Sequence, residues 1–466
     1  MKRLGLAVTA AAAGFAVLCF VAGYPTVIYD SWGYYYLSGV LRTGGLLAWP
    51  TDTRTYGYPL FLAAVTGFRD LPPEEFRLVV FLVQLALYLG TCAFVARRLA
   101  DVFRSPEIGA CAYACAASNP VLLLHTTEPL SDLISAILIS LSVALSWKRP
   151  GESLDERSRA WRPFLSFFFA GAAVAVRPAN AAVAAAVALV WGLRAARWRD
   201  LRPASIAAAL AGLVPPLIPQ LILNVRVFGR VTPLLVKDLY RLQTQWGMAA
   251  LKYATLVIPG RSPFLVYTNP LYRGDPNPVS FLLHHPLRYL ATLALHAFAM
   301  IDADLPYTYV TDLDPWYRWP LDLANFLLLY LALVGVVVGA RRLTRRSFDE
   351  VDFVFSSTVF VAAAYALPYL PVEVESRFGL PLEMLMTPLV AVGLIALVRP
   401  GVMKPLGRRL ALAGAPAFLL AAAALSAWIA AQRTNPIIPS PANAPVLDPP
   451  RAHATMPARP TPRPSP

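Results

Sequence analysis

The sequence has few charged residues and few cysteines for a chain of 466 residues. Charged side chains make up 15% of it and hydrophobic ones 57%, and the mean hydropathy is +0.54. This balance excludes an ordinary soluble protein and places the chain among polytopic membrane proteins. The four cysteines occur in apolar stretches without the spacing of a metal site, so we interpret them as small core residues.

The sequence also lacks the local motifs of several protein classes. It contains no P-loop, no Gly-rich dinucleotide-binding turn, no zinc signature and no nucleophile elbow. It shows no internal repeat, which removes support for a transporter built from inverted repeats. The net charge is +14, but the basic residues are spread over many loops, so we predict no nucleic-acid partner.

Apolar runs that can cross a membrane dominate the chain, and they predict an all-α polytopic membrane protein with about eleven transmembrane helices. The predicted spans lie at about residues 4–23, 78–96, 108–124, 130–147, 163–176, 179–193, 204–223, 321–340, 353–371, 379–398 and 410–431. A cleavable signal peptide is the alternative for the first run. We favour an uncleaved span, because cleavage would leave Asp30 near a frayed terminus. We interpret 287–301 as a surface helix, because counting it as a span would invert the charge pattern of every later loop.

The distribution of Lys and Arg predicts the topology. Short loops dense in positive charge alternate with longer loops that hold most of the acids, which places the short loops and the N-terminus in the cytoplasm. The opposite side then receives a first outer loop at 24–77 and a large outer loop at 225–320, both with interfacial helices. Residues 1–432 are predicted to form one transmembrane domain, and the Pro-rich residues 433–466 a disordered tail.

The large outer loop is rich in Trp and Tyr, which predicts an interfacial subdomain resting on lipid headgroups. It also contains four acids whose spacing lacks the calcium-loop pattern. We therefore interpret these acids as part of a solvated loop: Asp302, Asp304, Asp312 and Asp314.

Asp30 follows the first span directly and is the leading candidate for chemistry. A carboxylate at the water-facing end of a helix can remove a proton from an acceptor hydroxyl as that oxygen attacks an electrophilic carbon. Tyr34 lies one helical turn further and can orient that carboxylate. The alternative is that Asp30 is an ordinary helix N-cap.

Three arginines on the outer side are candidates for phosphate binding. Arg54 occurs in Arg-Thr-Tyr-Gly-Tyr-Pro, and its guanidinium can grip a phosphate by paired hydrogen bonds or bind lipid headgroups. Arg377 can neutralise a phosphate leaving group while Glu375 holds it, with a purely structural Glu375–Arg377 pair as the alternative. Arg177 is costly at membrane depth unless it contacts an anionic headgroup or pairs with a carboxylate.

Other polar residues at the ends of predicted spans are candidates for orienting a substrate. His125 and Glu128 lie in a turn between two spans and suit an acceptor or metal site, with helix capping as the alternative. Asn224 and Arg226 end a span, where helix termination is the alternative. Glu383 enters a span and is expected to face the interior of the bundle.

The order of these motifs carries a resemblance. Asp-Ser-x-x-Tyr (30–34) follows the first span, and Arg-Thr-x-Gly-Tyr-Pro-Leu-Phe-Leu (54–62) comes soon after. Arg-Pro (177–178), Asn-x-x-x-Phe-Gly (224–229) and Glu-x-Arg-Phe-x-x-Pro (375–381) complete the series. The chain resembles the bacterial GT-C-fold glycosyltransferases, the group related to protein O-mannosyltransferases and the lipid A aminoarabinose transferase. The similarity covers roughly residues 1–400, and the tail lies outside it.

The resemblance implies an enzyme of the bacterial cytoplasmic membrane with its active site on the extracytoplasmic face. It would take a sugar from a polyprenyl-phosphate carrier and transfer it, with inversion, to a glycan, glycolipid or protein acceptor. The resemblance further implies that Asp30 is the catalytic base and that Arg54 and Arg377 contact the carrier phosphate. Many relatives carry two adjacent acids where this chain has Asp30-Ser31, so a divalent metal is left open and no other cofactor is implied.

Two other classes stay open at the level of the sequence. A lipid-carrier flippase or polysaccharide export component would need polar residues deep in several spans, and the predicted spans are nearly free of charge apart from Arg177 and Glu383. A membrane scaffold would use the aromatic outer loop and the Pro-rich tail. Acids and arginines gathered on one side, at the ends of different spans, favour the enzyme.

Overall fold

The structure is a computed structural model that describes residues 2–23, 26–151, 156–198, 202–257, 264–272, 277–304, 309–313, 318–343 and 348–434. Within these ranges the first half of the chain forms α1 (Lys2–Ala22), α2 (Tyr29–Gly44), α3 (Gly57–Val65), α4 (Pro73–Phe103), α5 (Pro106–Ala117), α6 (Pro120–Leu124), α7 (Ser131–Ser146), α8 (Glu156–Val176), α9 (Ala181–Trp198), α10 (Pro203–Leu213) and α11 (Ile218–Phe228).

The second half forms α12 (Leu239–Ala249), α13 (Pro278–His284), α14 (Pro286–Ile301), α15 (Arg318–Leu343), α16 (Glu350–Tyr369), α17 (Leu380–Leu385), α18 (Thr387–Val398) and α19 (Pro405–Ala431). Short 3-10 helices lie at Leu46–Ala48, His125–Thr127, Pro178–Asn180, Pro215–Leu217 and Ser376–Gly379. The strands are β1 (Ala250–Thr255), β2 (Phe264–Thr268) and β3 (Arg433–Thr434). Many helices begin at a proline, which is tolerated there because the first turn leaves its N–H groups unpaired.

Seven helical segments of the described chain are long and apolar enough to cross a membrane. They are Arg3–Ala22, Pro73–Phe103, Pro178–Trp198, Pro203–Phe228, Arg318–Leu343, Glu350–Tyr369 and Pro405–Ala431. Two further pairs pass the same test together but are bent at a break, by 48° between α5 and α6 and by 60° between α17 and α18. The chain therefore has the fold class of a mainly helical, polytopic membrane protein, with up to nine spans by length and composition.

The predicted count of about eleven spans is not confirmed. The two remaining predicted spans fall on α7 and on the Ala160–Val176 part of α8, which are apolar but shorter than the other spans. At about 1.5 Å per residue, a helix as short as α7 falls below the roughly 30 Å of a bilayer core. α7 is also buried along almost its whole length, so it lies in the interior of the helical bundle.

A small antiparallel sheet is the main feature that the all-α prediction missed. β1 pairs with β2, and β2 pairs with β3, which directly follows α19. The side chains of β1 are buried throughout, so the strand carries no alternation that the sequence could reveal. The backbone N–H of Tyr253 in β1 also donates to the carbonyl of Val374 at 2.7 Å. The sheet thereby fixes the segment that leads into the Glu375–Arg377 motif.

The prediction that the acids of the large outer loop are solvated is wrong for Asp302 and Asp304, whose side chains are fully buried. The Lys252 ammonium donates to the backbone carbonyl of Asp302 at 2.9 Å and lies 3.4 Å from its carboxylate. Asp304 is ion-paired with Arg318 and accepts a hydrogen bond from the Tyr267 hydroxyl at 3.2 Å. These partners offset the cost of burying the two charges, and no local sequence pattern indicates them. Asp312 is exposed, and Asp314 lies outside the described residues.

The predicted tail begins inside an ordered element, because Arg433 and Thr434 form β3. Thr434 pairs with Val266, and the backbone N–H of Thr268 donates to the carbonyl of Gln432 at 3.0 Å. Residues 435–466, which carry the rest of the predicted disordered tail, lie outside the described residues.

Two glycines allow close backbone approaches beside the motifs singled out above. A Cβ on Gly57, at the start of α3, would lie 2.4 Å from the carbonyl oxygen of Ala175 near the end of α8. A Cβ on Gly379 would lie 2.0 Å from the carbonyl oxygen of Met300 in α14. These contacts join the first outer loop to the end of α8, two residues before Arg177, and the segment after Arg377 to the large outer loop.

We expect Gly57→Ala to lower the thermal unfolding temperature of the detergent-purified protein. The new methyl group would overlap the end of α8, and overpacking of this kind costs about 1–3 kcal/mol. The matched control is Gly90→Ala in α4, where nothing lies within 4 Å of the added carbon. Alanine is the better helix former, so the control should gain up to about 1 kcal/mol. Equal stability of Gly57→Ala and wild type would contradict the close approach.

Candidate functional site

Asp30 lies in the first turn of α2, but it is not the cap of that helix. The N-cap residue is Ile28, and no side chain accepts a hydrogen bond there. Tyr29, directly before Asp30, has a φ of 48°, a left-handed conformation that a bulky residue adopts only under constraint from its surroundings. The Asp30 carboxylate is therefore free of the backbone and available to other side chains.

Two arginines hold the two carboxylate oxygens of Asp30. Arg54 donates to Oδ1 at 2.5 Å, and Arg377 donates to Oδ2 at 3.0 Å. Burial alone would raise the pKa of Asp30, but the charges of Arg54 and Arg377 outweigh it and hold that pKa well below its ordinary value. The Asp30 side chain keeps 36% of its surface exposed, so the pair of ion bridges can be reached from outside.

Arg54 is oriented by aromatic side chains of the first outer loop. Its guanidinium carbon lies 4.5 Å from the centre of the Tyr34 ring, a cation–π contact. The Tyr34 hydroxyl is 3.1 Å from the Ser131 Oγ at the start of α7, and the Trp49 indole donates to the Arg54 carbonyl at 3.1 Å. Tyr34, predicted to orient Asp30, thus contacts the partner of Asp30.

Arg377 and Arg177 extend the site with two more carboxylates. Arg377 also contacts Glu375 at 2.5 Å, while Arg177 is ion-paired with Asp132. Arg177 lies over the Phe378 ring, with its guanidinium carbon 4.4 Å from the ring centre. Glu375 and Arg377 thus form an ion pair, which was one alternative for this motif. Arg177 pairs with a carboxylate inside the bundle, which was one alternative for Arg177.

The charges of this group balance, and we call it the Asp30 cluster: Asp30, Arg54, Asp132, Arg177, Glu375 and Arg377. Glu373 lies next to it on the chain, and burial first, then the charges of Glu375 and Asp30, raise the pKa of Glu373 to about 7. A further anion that enters this site would therefore have to compete with the carboxylates for the arginines.

Tyr309 is a site residue that the sequence analysis missed. Its buried hydroxyl accepts hydrogen bonds from the Ser31 backbone N–H at 3.0 Å and from the Ser31 Oγ at 3.3 Å. Burial, and then the negative charge of Asp30, raise the pKa of Tyr309 well above its ordinary value, so the hydroxyl keeps its proton. The next residue, Val310, is hydrogen-bonded to the end of β1, where its backbone N–H donates to the Thr255 carbonyl at 2.8 Å. No motif surrounds Tyr309, and only the fold brings it to Ser31.

Four residues predicted to orient a substrate make other contacts. His125 Nδ1 lies 2.9 Å from the Val121 carbonyl, and Glu128 is 3.4 Å from Arg77. Burial raises the pKa of Glu128 to about 7 against the opposing charge of Arg77.

Asn224 accepts a hydrogen bond from Gln220 and donates to the carbonyls of Thr232 and Leu234, which fixes the turn after α11. Arg226 is exposed on the same helix. In the described chain, no hydrogen bond or ion pair joins His125, Glu128, Asn224 or Arg226 to the Asp30 cluster. Nor do the described residues contain a group of three or more His, Cys, Asp or Glu side chains placed to hold a metal ion.

Comparisons with known proteins give similarities in structure. No protein-family model matches the sequence, and no curated protein matches it. ArnT from Cupriavidus metallidurans, solved in the apo state, shares 14% identity at a TM-score of 0.40 over 84% of this chain and 78% of that one. The same protein bound to undecaprenyl phosphate gives 15% identity and a TM-score of 0.41, over 83% of this chain and 78% of that one.

The archaeal oligosaccharyltransferase AglB from Archaeoglobus fulgidus is also similar. It was solved in complex with an inhibitory peptide and a dolichol-phosphate, and it gives 14% identity and a TM-score of 0.41 over 92% of this chain. This chain covers 55% of that protein.

We expect Tyr309→Phe to destabilise the protein while leaving its packing intact. The ring stays, but the buried Ser31 N–H loses its acceptor, which costs about 1–3 kcal/mol. Thermal unfolding in detergent measures the change. Tyr240→Phe is the matched control, since Tyr240 is 52% exposed. Unchanged unfolding of Tyr309→Phe would show that its hydroxyl contributes nothing to holding Ser31.

Proposed function

We propose that the protein is a membrane glycosyltransferase that transfers a sugar from a polyprenyl-phosphate carrier to an extracytoplasmic acceptor. The observation that carries this proposal is the Asp30 carboxylate held by Arg54 on one oxygen and by Arg377 on the other. Two guanidinium groups converging on one partly exposed anion form a receptor for a phosphate, with a carboxylate already in reach to accept a proton.

The carrier phosphate binds by taking the two arginines from Asp30. The phosphodiester of the donor carries one negative charge on two free oxygens, which planar guanidinium groups match in geometry, and it gains a second negative charge as the sugar leaves. Arg54 and Arg377 then hold the oxygens on which charge develops as the sugar leaves. Arg177 adds positive charge beside Phe378, and Glu375 keeps Arg377 in place from the side away from Asp30.

Losing its arginine partners turns Asp30 into a base. While both ion bridges are present its pKa is depressed, so it is a poor proton acceptor. Once they turn to the phosphate, the pKa of Asp30 rises towards its ordinary value. The acceptor hydroxyl then gives its proton to the carboxylate while its oxygen bonds to the anomeric carbon. The bond from that carbon to the phosphate oxygen breaks, and its electron pair stays on the phosphate. A single displacement of this kind inverts the anomeric centre.

The remaining predicted site residues take supporting places in this proposal. Tyr34 orients Arg54 through its ring, and Tyr309 fixes the start of α2 through Ser31. His125, Glu128, Asn224 and Arg226 stay predictions as substrate-orienting residues.

We expect wild-type protein to transfer sugar from one member of a panel of synthetic polyprenyl-phosphate sugars, and Asp30→Asn to lose that transfer. Removing a general base typically lowers the rate by about 10²–10⁴-fold. Asp70→Asn is the matched control, because Asp70 lies in the same outer loop, is largely exposed and pairs with Arg42. Transfer that survives in Asp30→Asn would remove Asp30 from the mechanism. Carrier binding without transfer in wild type would contradict the proposal that the protein is a glycosyltransferase.

A binding measurement tests the exchange of arginine partners directly. We expect Arg54→Ala and Arg377→Ala each to weaken the binding of undecaprenyl phosphate in nanodiscs by about tenfold or more, the scale of one charge-assisted hydrogen bond. Asp30→Asn should instead bind this lipid more tightly than wild type, because the competing carboxylate charge is gone. Arg42→Ala is the control, because Arg42 lies in the same helix as Asp30, and it should leave the affinity for this lipid unchanged. Weaker binding by Asp30→Asn would contradict the exchange.

A further inference from the structure

Two bent helix pairs meet inside the membrane-spanning part of the protein. One pair breaks between α5 and α6, where Asn119 caps α6 by accepting the backbone N–H of Leu122 at 3.0 Å. The other breaks between α17 and α18, at Met386. The Asn119 side chain donates to the Glu383 Oε2 at 2.9 Å, so the two breaks are joined by one side-chain hydrogen bond. Neither residue belongs to the Asp30 cluster.

Glu383 differs from the other buried acids of the described chain. Eight acidic residues are buried there, and seven of them lie within 4 Å of a basic group: Glu128, Asp132, Asp302, Asp304, Asp322, Asp352 and Glu375. Glu383 is 5% exposed, and within the described ranges its contact is the Asn119 amide rather than a cation. An isolated carboxylate in apolar surroundings is far more costly than the neutral acid.

The geometry of the Asn119 bond shows what the neutral acid offers. Oε2 accepts the amide N–H, so in the neutral acid the proton resides on Oε1. The acid lines a small cavity together with Asn119, Thr387 and the apolar residues Leu328, Met386 and Val390. Leu328 and Met386, which line this cavity, are partly exposed side chains of two segments that are apolar enough to cross a membrane. Apolar molecules dissolved in the bilayer can therefore approach the cavity at these two residues.

We propose that Glu383 and Asn119 form a proton-binding site inside the membrane-spanning part, where Glu383 is held as an uncharged carboxylic acid that apolar electrophiles reach from the lipid. The site binds a proton, and the protonated acid is expected to react with carbodiimides. This site is separate from the proposed transfer reaction and does not depend on it.

The reaction with a carbodiimide balances without a further reactant. The proton of the acid moves to one nitrogen of the N=C=N group, and a Glu383 oxygen bonds to the central carbon as one C=N π bond breaks. The product is an O-acylisourea, and migration of the acyl group to nitrogen converts it into a stable N-acylurea. The first step consumes the acid proton, so ionised carboxylates react poorly.

The experiment treats the full chain in lipid nanodiscs with N,N′-dicyclohexylcarbodiimide at about pH 6, where exposed carboxyl groups are ionised. Mass spectrometry of the digested protein then locates the adduct. We expect it on Glu383, and its loss in Glu383→Gln, a substitution that keeps the acceptor for Asn119. Asp322→Asn is the matched control, because Asp322 is a buried acid of α15 with Arg318 nearby, and it should leave the labelling of Glu383 unchanged.

Infrared spectroscopy provides a readout that does not depend on reagent access. The carbonyl stretch of an un-ionised carboxylic acid should be present in wild type and reduced in Glu383→Gln. Its absence from the difference spectrum would overturn the proposal, as would a missing adduct on Glu383 or equal labelling of the ion-paired acids. A water-soluble, charged carbodiimide should leave Glu383 unmodified, and labelling by that reagent would contradict approach from the lipid.

Discussion

The site depends on one carboxylate shared between two guanidinium groups. Asp30 is reached by Arg54 from 24 residues away and by Arg377 from 347 residues away. Each arginine has a second support, Tyr34 for Arg54 and Glu375 for Arg377, so neither relies on Asp30 alone for its position. Asp30 is more than one-third exposed, so an anion in solution can approach the two arginines, as the proposed exchange of partners requires.

Backbone contacts from distant segments hold the parts of the site in register. Gly57 lets the first outer loop lie directly against the end of α8, two residues before Arg177. Gly379 lets the segment after Arg377 lie against α14, and β1 bonds to Val374 on the other side of that motif. The large outer loop therefore supports the site, and two of the three strands of the small sheet belong to it. Fixed positioning of this kind is what the proposed stabilisation of a leaving group requires.

Apolar surroundings impose the same rule on the buried acids throughout the chain. A charge removed from water needs a partner of opposite sign, or it must give up its charge. Seven buried acids of the described chain follow the first route, and Glu383 follows the second with an amide as its neighbour. The buried acids of the described chain are thus of two kinds, seven that are ion-paired and one at the facing helix breaks that we propose to be neutral.

The sequence alone determined the fold class, because long apolar runs can satisfy their backbone in a membrane only as helices, and such runs are visible locally. It also singled out Asp30, Arg54 and Arg377, since charged residues are rare here and their motifs are distinctive. It could not supply β1 and β2, which are short and whose burial does not follow an alternating pattern, nor the burial of Asp302 and Asp304. Only the tertiary structure decided which charges meet, that Tyr309 reaches Ser31, and that Glu383 contacts an amide rather than a cation among the described residues. The physical reason is that ion pairs and hydrogen bonds form across space, between residues whose separation along the chain leaves no local pattern.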